Sequence, residues 1–140
     1  MIVYLVRHAR AGRRSNWDGD DRVRPLDERG RRQADALGGL LAGRDFHRIL
    51  SSPFVRCVQT VVPLAQSRGL TIERDDALAE GAGGEAGLRL LRAAEEPVVA
   101  CVHGDLVEEL LGETAKKGST TVLELSASGV EVLERLPPPG

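Results

Sequence analysis

Two residues near the start of the chain combine an anion-binding group with a nucleophile. Arg7 and His8 directly follow Ile2–Val6, a run of five apolar residues with no polar alternation. Such a run predicts a strand buried on both faces, as in the centre of a parallel sheet. Ligands of open α/β sheets bind in the crevice at the carboxyl ends of such strands. The pair therefore predicts an anion site beside a histidine that can attack the anion.

Two later junctions between a predicted strand and a predicted helix carry residues of the same kinds. Arg56 lies shortly after the predicted strand His47–Ser51, and His103 with Gly104 follows the apolar strand Pro97–Val102. If the three strands are parallel neighbours, their junctions open on one edge of the sheet. Helix N-termini favour anions, and guanidinium groups match phosphate oxygens in pairs. We therefore predict a phosphate pocket at this edge.

The remaining pattern alternates strands with helices. Asp27 is the predicted cap of a helix that ends near Gly43. A second helix is predicted to begin at Ser52-Pro53, to be disturbed at Pro63 and to stop by Gly69. The other predicted elements are an edge strand Thr71–Glu73, a helix from about Glu85 to Glu95, a helix Gly104–Leu111, and strands Thr121–Leu125 and Val130–Leu136. This order predicts an α/β sandwich on a mostly parallel sheet.

Length and composition limit the classes of function. The 140 residues predict one domain over 1–140, with 137–140 as a frayed tail. A net charge of −2 argues against a nucleic-acid partner. No segment approaches the ~20 apolar residues of a membrane span, and no signal-peptide pattern is present, so we expect no membrane partner and a cytoplasmic location. Cys57 and Cys101 lack metal-site or redox spacing and are expected to be reduced, buried thiols.

Each candidate residue also has a simpler interpretation. A single arginine such as Arg56 is commonly a solvated surface charge, and a histidine at a strand end is more often structural than catalytic. His47 is given the structural interpretation because it lies at the start of its strand and not at the carboxyl end. Two of only three histidines nevertheless lie at the predicted carboxyl edge. This combination favours a functional site, either in an enzyme or in a non-catalytic module that binds phosphoryl groups.

Four segments in order resemble the histidine phosphatase superfamily, to which phosphoglycerate mutase-like enzymes belong. They are Val6–Ala9, Arg24–Ala34, Ser51–Thr60 and Val102–Asp105. Their spacing is similar to that of the small SixA-type phosphohistidine phosphatases, and the resemblance covers about Ile2–Leu125. It implies a three-layer α/β/α sandwich with a mostly parallel central sheet of the phosphoglycerate mutase-like kind. It also implies a phosphatase.

The same resemblance implies a role for each residue of the pocket. His8 would be the nucleophile that forms a transient phosphohistidine, and Arg7 and Arg56 would hold the phosphoryl oxygens. His103 would help to stabilise the transferring group, with Gly104 allowing close backbone approach. A nucleophilic histidine needs an unprotonated nitrogen, so a partner such as a backbone carbonyl should fix its tautomer. No metal or other cofactor is implied, because cationic side chains supply the positive charge.

Loop residues supply the remaining candidates. Glu80 lies where larger members of the superfamily place an acidic residue that protonates the leaving oxygen, and Glu85 is the alternative in the same loop. A solvated loop carboxylate is an equally good interpretation of Glu80. The family often takes a further phosphate ligand from the first loop, and Asn16 or Arg14 could supply it here. Ala9 departs from the glycine of many members.

The substrate class stays open at this stage. The short chain leaves no room for the cap insertions of larger relatives, so we expect an open, shallow site that fits a phosphoprotein or a small phosphate ester. The Arg-rich first loop also resembles the phosphatase half of bacterial Nudix–phosphatase fusions, which adds nucleotide-derived phosphates as an alternative. Neither cysteine has an arginine six residues later, and no phosphate-loop motif occurs, so cysteine phosphatases and P-loop proteins are disfavoured. The sequence gives no indication of oligomeric state.

Overall fold

A six-stranded sheet lies at the centre of the molecule, and helices cover both of its faces. The computed structural model describes all 140 residues. The strands are β1 Ile2–Arg7, β2 Arg48–Ser51, β3 Ile72–Arg74, β4 Val98–Val102, β5 Thr120–Ser126 and β6 Gly129–Leu136. The helices are α1 Glu28–Leu41, α2 Val55–Arg68, α3 Gly84–Ala93 and α4 Gly104–Leu111. In the strand order β3-β2-β4-β1-β5-β6, the first four strands pair in parallel and the last two are antiparallel to their neighbours.

The side chains of β1 alternate between the two faces of the sheet, as the pleat of a strand requires. Tyr4 and Val6 pack in one core cluster with residues of α1 and α2. Val3 and Leu5 pack in a second cluster with residues of α3 and α4. Burial on both faces explains why β1 and β4 are continuous apolar runs. The predicted three-layer α/β/α sandwich with a mostly parallel sheet is confirmed.

The neighbouring strands β1 and β4 are followed by helices on opposite faces of the sheet. The chain therefore leaves the two strands in opposite directions and opens a crevice at their carboxyl ends. On its other edge β4 pairs in parallel with β2. The three junctions that carry Arg7-His8, Arg56 and His103 consequently open on the same edge of the sheet, as predicted.

The loop after β1 packs closely against the start of α1. Asp27 caps this helix as predicted, because its carboxylate accepts the N–H of Gly30 at 2.7 Å and also the N–H of Gly12 at 3.0 Å. A Cβ atom at position 30 would lie 1.9 Å from the carbonyl oxygen of Arg10. Only glycine allows this approach, so Gly30 determines where the loop that carries His8 rests on α1.

The predicted start of α2 at Ser52-Pro53 is wrong. The helix begins at Val55, with Phe54 in the N-cap position. The Ser52 hydroxyl accepts the N–H of Phe54 at 3.2 Å and lies 2.8 Å from Nε2 of His103. Its hydrogen bonds therefore form a turn ahead of the helix and hold a histidine ring, instead of capping the helix.

The other predicted boundaries differ by smaller amounts. α1 ends at Leu41, two residues before Gly43. α2 continues through Pro63 and ends at Arg68, where Gly69 adopts a left-handed conformation with φ of 65°. The edge strand and the two final strands are found within one residue of their predicted starts.

None of the four helices is both long enough and apolar enough to cross a membrane.

Candidate active site

His8 lies just beyond the carboxyl end of β1 with 5% of its surface exposed. Its Nδ1 is 2.8 Å from the carbonyl oxygen of Ala9. Because a carbonyl can only accept, Nδ1 carries the proton and donates it, and Nε2 keeps its lone pair. Burial lowers the pKa of His8 to about 3, with His103, Arg56 and Arg7 acting in the same direction and the hydrogen bond to Ala9 opposing. The ring is therefore neutral near pH 7, with the backbone carbonyl partner that the sequence led us to expect.

Arg7 is the last residue of β1, and its guanidinium lies over the first residue of α4. A Cβ atom on Gly104 would be 2.9 Å from the guanidinium carbon, so glycine makes room for the arginine. One guanidinium nitrogen donates to the carbonyl of Ala115, and Nε is buried with no partner in the protein. Burial lowers the pKa of Arg7, and three nearby carboxylates oppose that shift. The guanidinium of Arg7 is thus held against the N-terminus of α4, beside His8.

Arg56 is completely buried in the first turn of α2. Its Nη1 donates to the backbone carbonyl of Asp21 at 2.8 Å, and its Nη2 donates to the Asp21 carboxylate at 3.0 Å. The same carboxylate accepts from Nε of Arg24 at 2.9 Å. Burial opposes ionisation of Asp21, but the hydrogen bonds from Arg24 and Arg56 outweigh it and hold the pKa of Asp21 below its ordinary value. Asp21 thus supplies the countercharge for the buried Arg56 guanidinium, while Nε of Arg56 has no partner in the protein.

His103 follows β4 in the N-cap position of α4, with 1% of its surface exposed. Its Nε2 lies 2.8 Å from the Ser52 hydroxyl and 3.5 Å from Sγ of Cys57. Its ring packs edge to face against His8, with the ring centres 5.4 Å apart. Nδ1 is buried with no partner in the protein. The junction of β2 and α2 therefore fixes His103 against the back of His8.

Glu80 reaches the site from the loop between β3 and α3. Its carboxylate accepts two hydrogen bonds from Nη2 of Arg14, at 2.7 and 3.0 Å, and lies 3.7 Å from Nη2 of Arg56. The side chain is 36% exposed. Glu85, the alternative acid, is directed elsewhere: its side chain is 89% exposed and pairs with Arg89. Of the two predicted proton donors, only Glu80 is near His8.

The first loop places Arg14 at the site and leaves Asn16 outside it. Arg13, Arg14 and Ser15 line the cleft at His8, whereas Asn16 is exposed and lines no part of it. Residues 14–16 form a single 3-10 turn, and its geometry directs neighbouring side chains to different sides. The structure therefore does not bring Asn16, the predicted phosphate ligand, to His8; of the two candidates in this loop, only Arg14 lies at the cleft.

These side chains surround two adjoining clefts of about 310 and 410 Å³. Arg7, His8 and Glu80 line both of them, and Gly104 lines the smaller. The larger has no apolar side chain in its lining and six cationic ones, namely Arg7, Arg13, Arg14, Arg24, Arg56 and Lys117. His103 lines neither cleft and lies behind His8. The arrangement can bind a highly charged anion beside Nε2 of His8.

Three residues of this site escaped the sequence analysis. Asp21 pairs with Arg56, and Lys117 reaches the larger cleft from the loop before β5 without a hydrogen bond or ion pair of its own. Thr60 accepts the N–H of Ala9 at 2.9 Å and donates to the carbonyl of Arg56 at 2.7 Å. Thr60 lies one helical turn after Arg56, which is the one signal in the sequence that could have revealed its role.

No group of three or more His, Cys, Asp or Glu side chains is arranged to hold a metal ion. The positive charge of the clefts is supplied by the arginines and Lys117.

By sequence, the chain is similar to a phosphatase family model and to a protein named as a phosphatase. The model of the histidine phosphatase superfamily (branch 1) matches residues 3–97. A Mycolicibacterium smegmatis protein named 8-oxo-(d)GTP phosphatase is 40% identical over 155 residues, covering 98% of this chain and 48% of the relative. This chain thus spans about half the length of that relative.

Solved structures agree on the fold. The protein histidine phosphatase SixA complexed with tungstate has a TM-score of 0.83 and 25% identity, covering 99% of this chain and 97% of its own. A mycobacterial glucosyl-3-phosphoglycerate phosphatase complexed with VO3 has a TM-score of 0.76 and 19% identity, covering 94% of this chain and 96% of its own. The second likeness shows the fold alone.

Proposed function

The chain belongs to the histidine phosphatase superfamily (branch 1), and we propose that it hydrolyses phosphorylated substrates through a phosphohistidine intermediate on His8. The observation that carries this proposal is the state of the His8 ring. Its Nδ1 donates to the Ala9 carbonyl, its pKa lies at about 3, and its unprotonated Nε2 stands among guanidinium groups. A neutral imidazole beside a cationic cleft is what attack on a phosphoryl group requires.

In the first step the Nε2 lone pair of His8 attacks phosphorus, and the bond from phosphorus to the leaving oxygen breaks. Glu80 in its acid form donates a proton to that oxygen. Arg7 and Arg56, which line the larger cleft with His8, bind the phosphoryl oxygens as their charge spreads in the transition state. His103 packs edge to face against His8 and holds the His8 ring in position for the attack.

In the second step water attacks the phosphohistidine, and the Glu80 carboxylate takes up a proton from that water. The phosphorus–nitrogen bond breaks, inorganic phosphate leaves, and His8 regains its lone pair. The proton that Glu80 loses in the first step is recovered in the second, so the enzyme returns to its starting state.

Hydrolysis of 4-nitrophenyl phosphate tests this proposal. We expect release of phosphate in the presence of EDTA, because side chains supply the positive charge, and we expect no activity in His8→Ala. The matched control is His47→Ala, since His47 lies outside both clefts and its side chain is 58% exposed. Full activity of His8→Ala contradicts the mechanism. Binding of inorganic phosphate without turnover on any substrate would favour a non-catalytic binding module instead.

Two substrate classes have separate support. Phosphohistidine in proteins is supported by the likeness to SixA and by the exposed rim, where the Arg14 side chain is 60% exposed. Nucleotide-derived phosphates are supported by the 40% identity to 8-oxo-(d)GTP phosphatase and by cationic side chains beyond those needed for one phosphoryl group. Small-metabolite phosphates are a third class that the open site admits.

A panel of phosphohistidine peptides, 8-oxo-guanosine and unmodified nucleotides, and sugar phosphates distinguishes these classes by kcat/KM. If nucleotides are the substrates, Lys117→Met should weaken their turnover, because Lys117 has no partner within the protein and faces the cleft. Lys116→Met is the control, since Lys116 lies in the same loop but outside both clefts. Equal effects of the two substitutions would contradict a nucleotide-binding role of this cationic rim.

A further inference from the structure

The loop that carries Glu80 is attached to the active site by a carboxylate that the mechanism above does not use. Asp105 lies in the first turn of α4, two residues after His103. Its Oδ2 accepts the backbone N–H of Gly81 at 2.8 Å. Gly81 has a φ of 83°, so the chain turns sharply directly after Glu80. One hydrogen bond therefore connects the residue beside Glu80 to the residues that follow β4.

The other contacts of Glu80 are made to arginines that a substrate would also bind. Arg14, which binds both carboxylate oxygens of Glu80, is 60% exposed and comes from the polar first loop. The ion pair of Glu80 with Arg56 is longer, at 3.7 Å. A substrate phosphoryl group competes for both arginines, because they line the same cleft. The bond from Asp105 to Gly81 involves neither arginine, so a substrate that binds both arginines does not compete for it.

Asp105 also belongs to the smaller cleft, together with Arg7, His8 and Glu80. Its second oxygen, Oδ1, is buried and has no hydrogen-bond partner in the protein. A buried oxygen that lacks a hydrogen-bond partner is unfavourable for the folded protein. Asp105 is thus a cleft residue whose side chain has one hydrogen-bond partner in the protein, the N–H that follows Glu80.

We propose that Asp105 is a positioning residue that, by accepting the N–H of Gly81, holds Glu80 at the leaving-group side of the phosphoryl site. This proposal rests on the proposed function, and in particular on Glu80 as the proton donor. In this role Asp105 acts through Glu80 and takes no part in the proton transfer. Its contribution should consequently appear only in reactions that need the proton from Glu80.

Leaving groups of different basicity separate positioning from general damage. Phenyl phosphate has a poor leaving group that needs a proton, whereas 4-nitrophenyl phosphate has a good one that does not. We expect Glu80→Gln to lower kcat/KM for phenyl phosphate by about 10²-fold, the usual contribution of a general acid, and to change it little for 4-nitrophenyl phosphate. Asp105→Ala should show the same selectivity with a smaller loss, about 10-fold, because a displaced acid retains part of its effect.

Three further variants make the test specific. Asp105→Asn keeps an oxygen that accepts from Gly81, so it should restore most of the phenyl phosphate activity that Asp105→Ala loses. Glu80→Gln combined with Asp105→Ala should be no worse than Glu80→Gln alone, because Asp105 acts through Glu80. Glu85→Ala removes an exposed carboxylate near the same loop and should leave both activities unchanged.

Several results would overturn the proposal. Equal losses on both substrates in Asp105→Ala, or additive losses in the double variant, would show a general structural role. Failure of Asp105→Asn to recover activity would show that charge matters rather than the hydrogen bond, and would likewise overturn it. If Asp105→Ala does not fold, two other comparisons replace it. Asp105→Asn is compared with wild type, and Glu80→Gln combined with Asp105→Asn is compared with Glu80→Gln alone. If Glu80→Gln shows no selective loss of kcat/KM for phenyl phosphate while hydrolysis still depends on His8, Glu80 is not the acid and this proposal fails. The phosphohistidine mechanism would still stand.

Discussion

Gly30→Ala should damage both the stability and the activity of this protein, although residue 30 is remote from the chemistry in sequence. A Cβ atom there would lie 1.9 Å from the carbonyl oxygen of Arg10, and real Cβ contacts essentially never fall below 3.0 Å. The backbone at Arg10 must therefore move by about 1.1 Å, the difference between these two distances. This backbone lies two residues after His8, so the shift reaches the nucleophile.

The magnitudes follow from the size of that displacement. Overpacking of a close contact costs typically 1–3 kcal/mol, and a contact between backbones belongs at the upper end, so we expect a loss of about 3 kcal/mol in the free energy of unfolding. Misplacement of a catalytic group by about 1 Å lowers activity by about 10²-fold. Urea denaturation measures the first quantity, and kcat/KM for 4-nitrophenyl phosphate measures the second.

Gly39→Ala is the matched control because it lies in the same helix with nothing within 4 Å of its added Cβ. It should stabilise the protein by about 0.5–1 kcal/mol, the difference in helix propensity between the two residues, and leave activity unchanged. Gly30→Ala that is as stable and as active as Gly39→Ala would refute the argument that the contact with Arg10 fixes the position of His8.

Three other predictions concern groups that hold the site together. His8 has a pKa of about 3 in the folded protein against 6.5 for the free side chain, so between these values the unfolded chain binds a proton that the folded protein does not. The free energy of unfolding should therefore fall by about 1.4 kcal/mol for each pH unit from 6.5 down to about 3, and urea titrations should show a shallower pH dependence in His8→Asn. Thr60→Val leaves the N–H of Ala9 and the carbonyl of Arg56 without their hydroxyl partner. It should lower the free energy of unfolding by about 1–3 kcal/mol. The comparison is Val58→Ala, on the half-buried side of the same helix. Asp27→Ala removes the cap of α1 and should lower the free energy of unfolding by about 1–2 kcal/mol at pH 7. Hydrogen bonds from Gly30 and Gly12 outweigh burial and keep the pKa of Asp27 below 3.8, so this stability difference from wild type should be complete above pH 3.8 and disappear as the pH falls through the lowered pKa. A stability difference that persists in strong acid would contradict this assignment.

The parts of the fold that follow from local sequence pattern were predictable. The apolar runs of β1 and β4 can only be strands buried on both faces, and parallel neighbours of this kind must end at the same edge. This argument was sufficient to bring Arg7, His8 and His103 together. Asp27 was equally predictable, because N-capping depends on residues three positions apart.

The parts that depend on contacts between distant segments were not predictable. Asp21 pairs with Arg56 across 35 residues, and Ser52 is held by His103 across 51 residues, which moves the start of α2 beyond Ser52. Whether Asn16 or Arg14 enters the cleft depends on one 3-10 turn, whose orientation no periodicity reveals. In the first two cases a hydrogen bond between distant segments decides where the side chain lies, and no local sequence pattern predicts such a bond.

Trapping of the phosphorylated enzyme tests the central claim most directly. Wild-type protein turning over a ³²P-labelled phosphate ester, quenched in alkali within one turnover, should carry label that is stable in base and labile in acid, as a phosphorus–nitrogen bond is. Peptide mapping should place that label on His8, and His8→Ala should carry none while His47→Ala is labelled like wild type. Sustained turnover of wild type without any such label, or label on another residue with His8→Ala still active, would contradict the phosphohistidine mechanism.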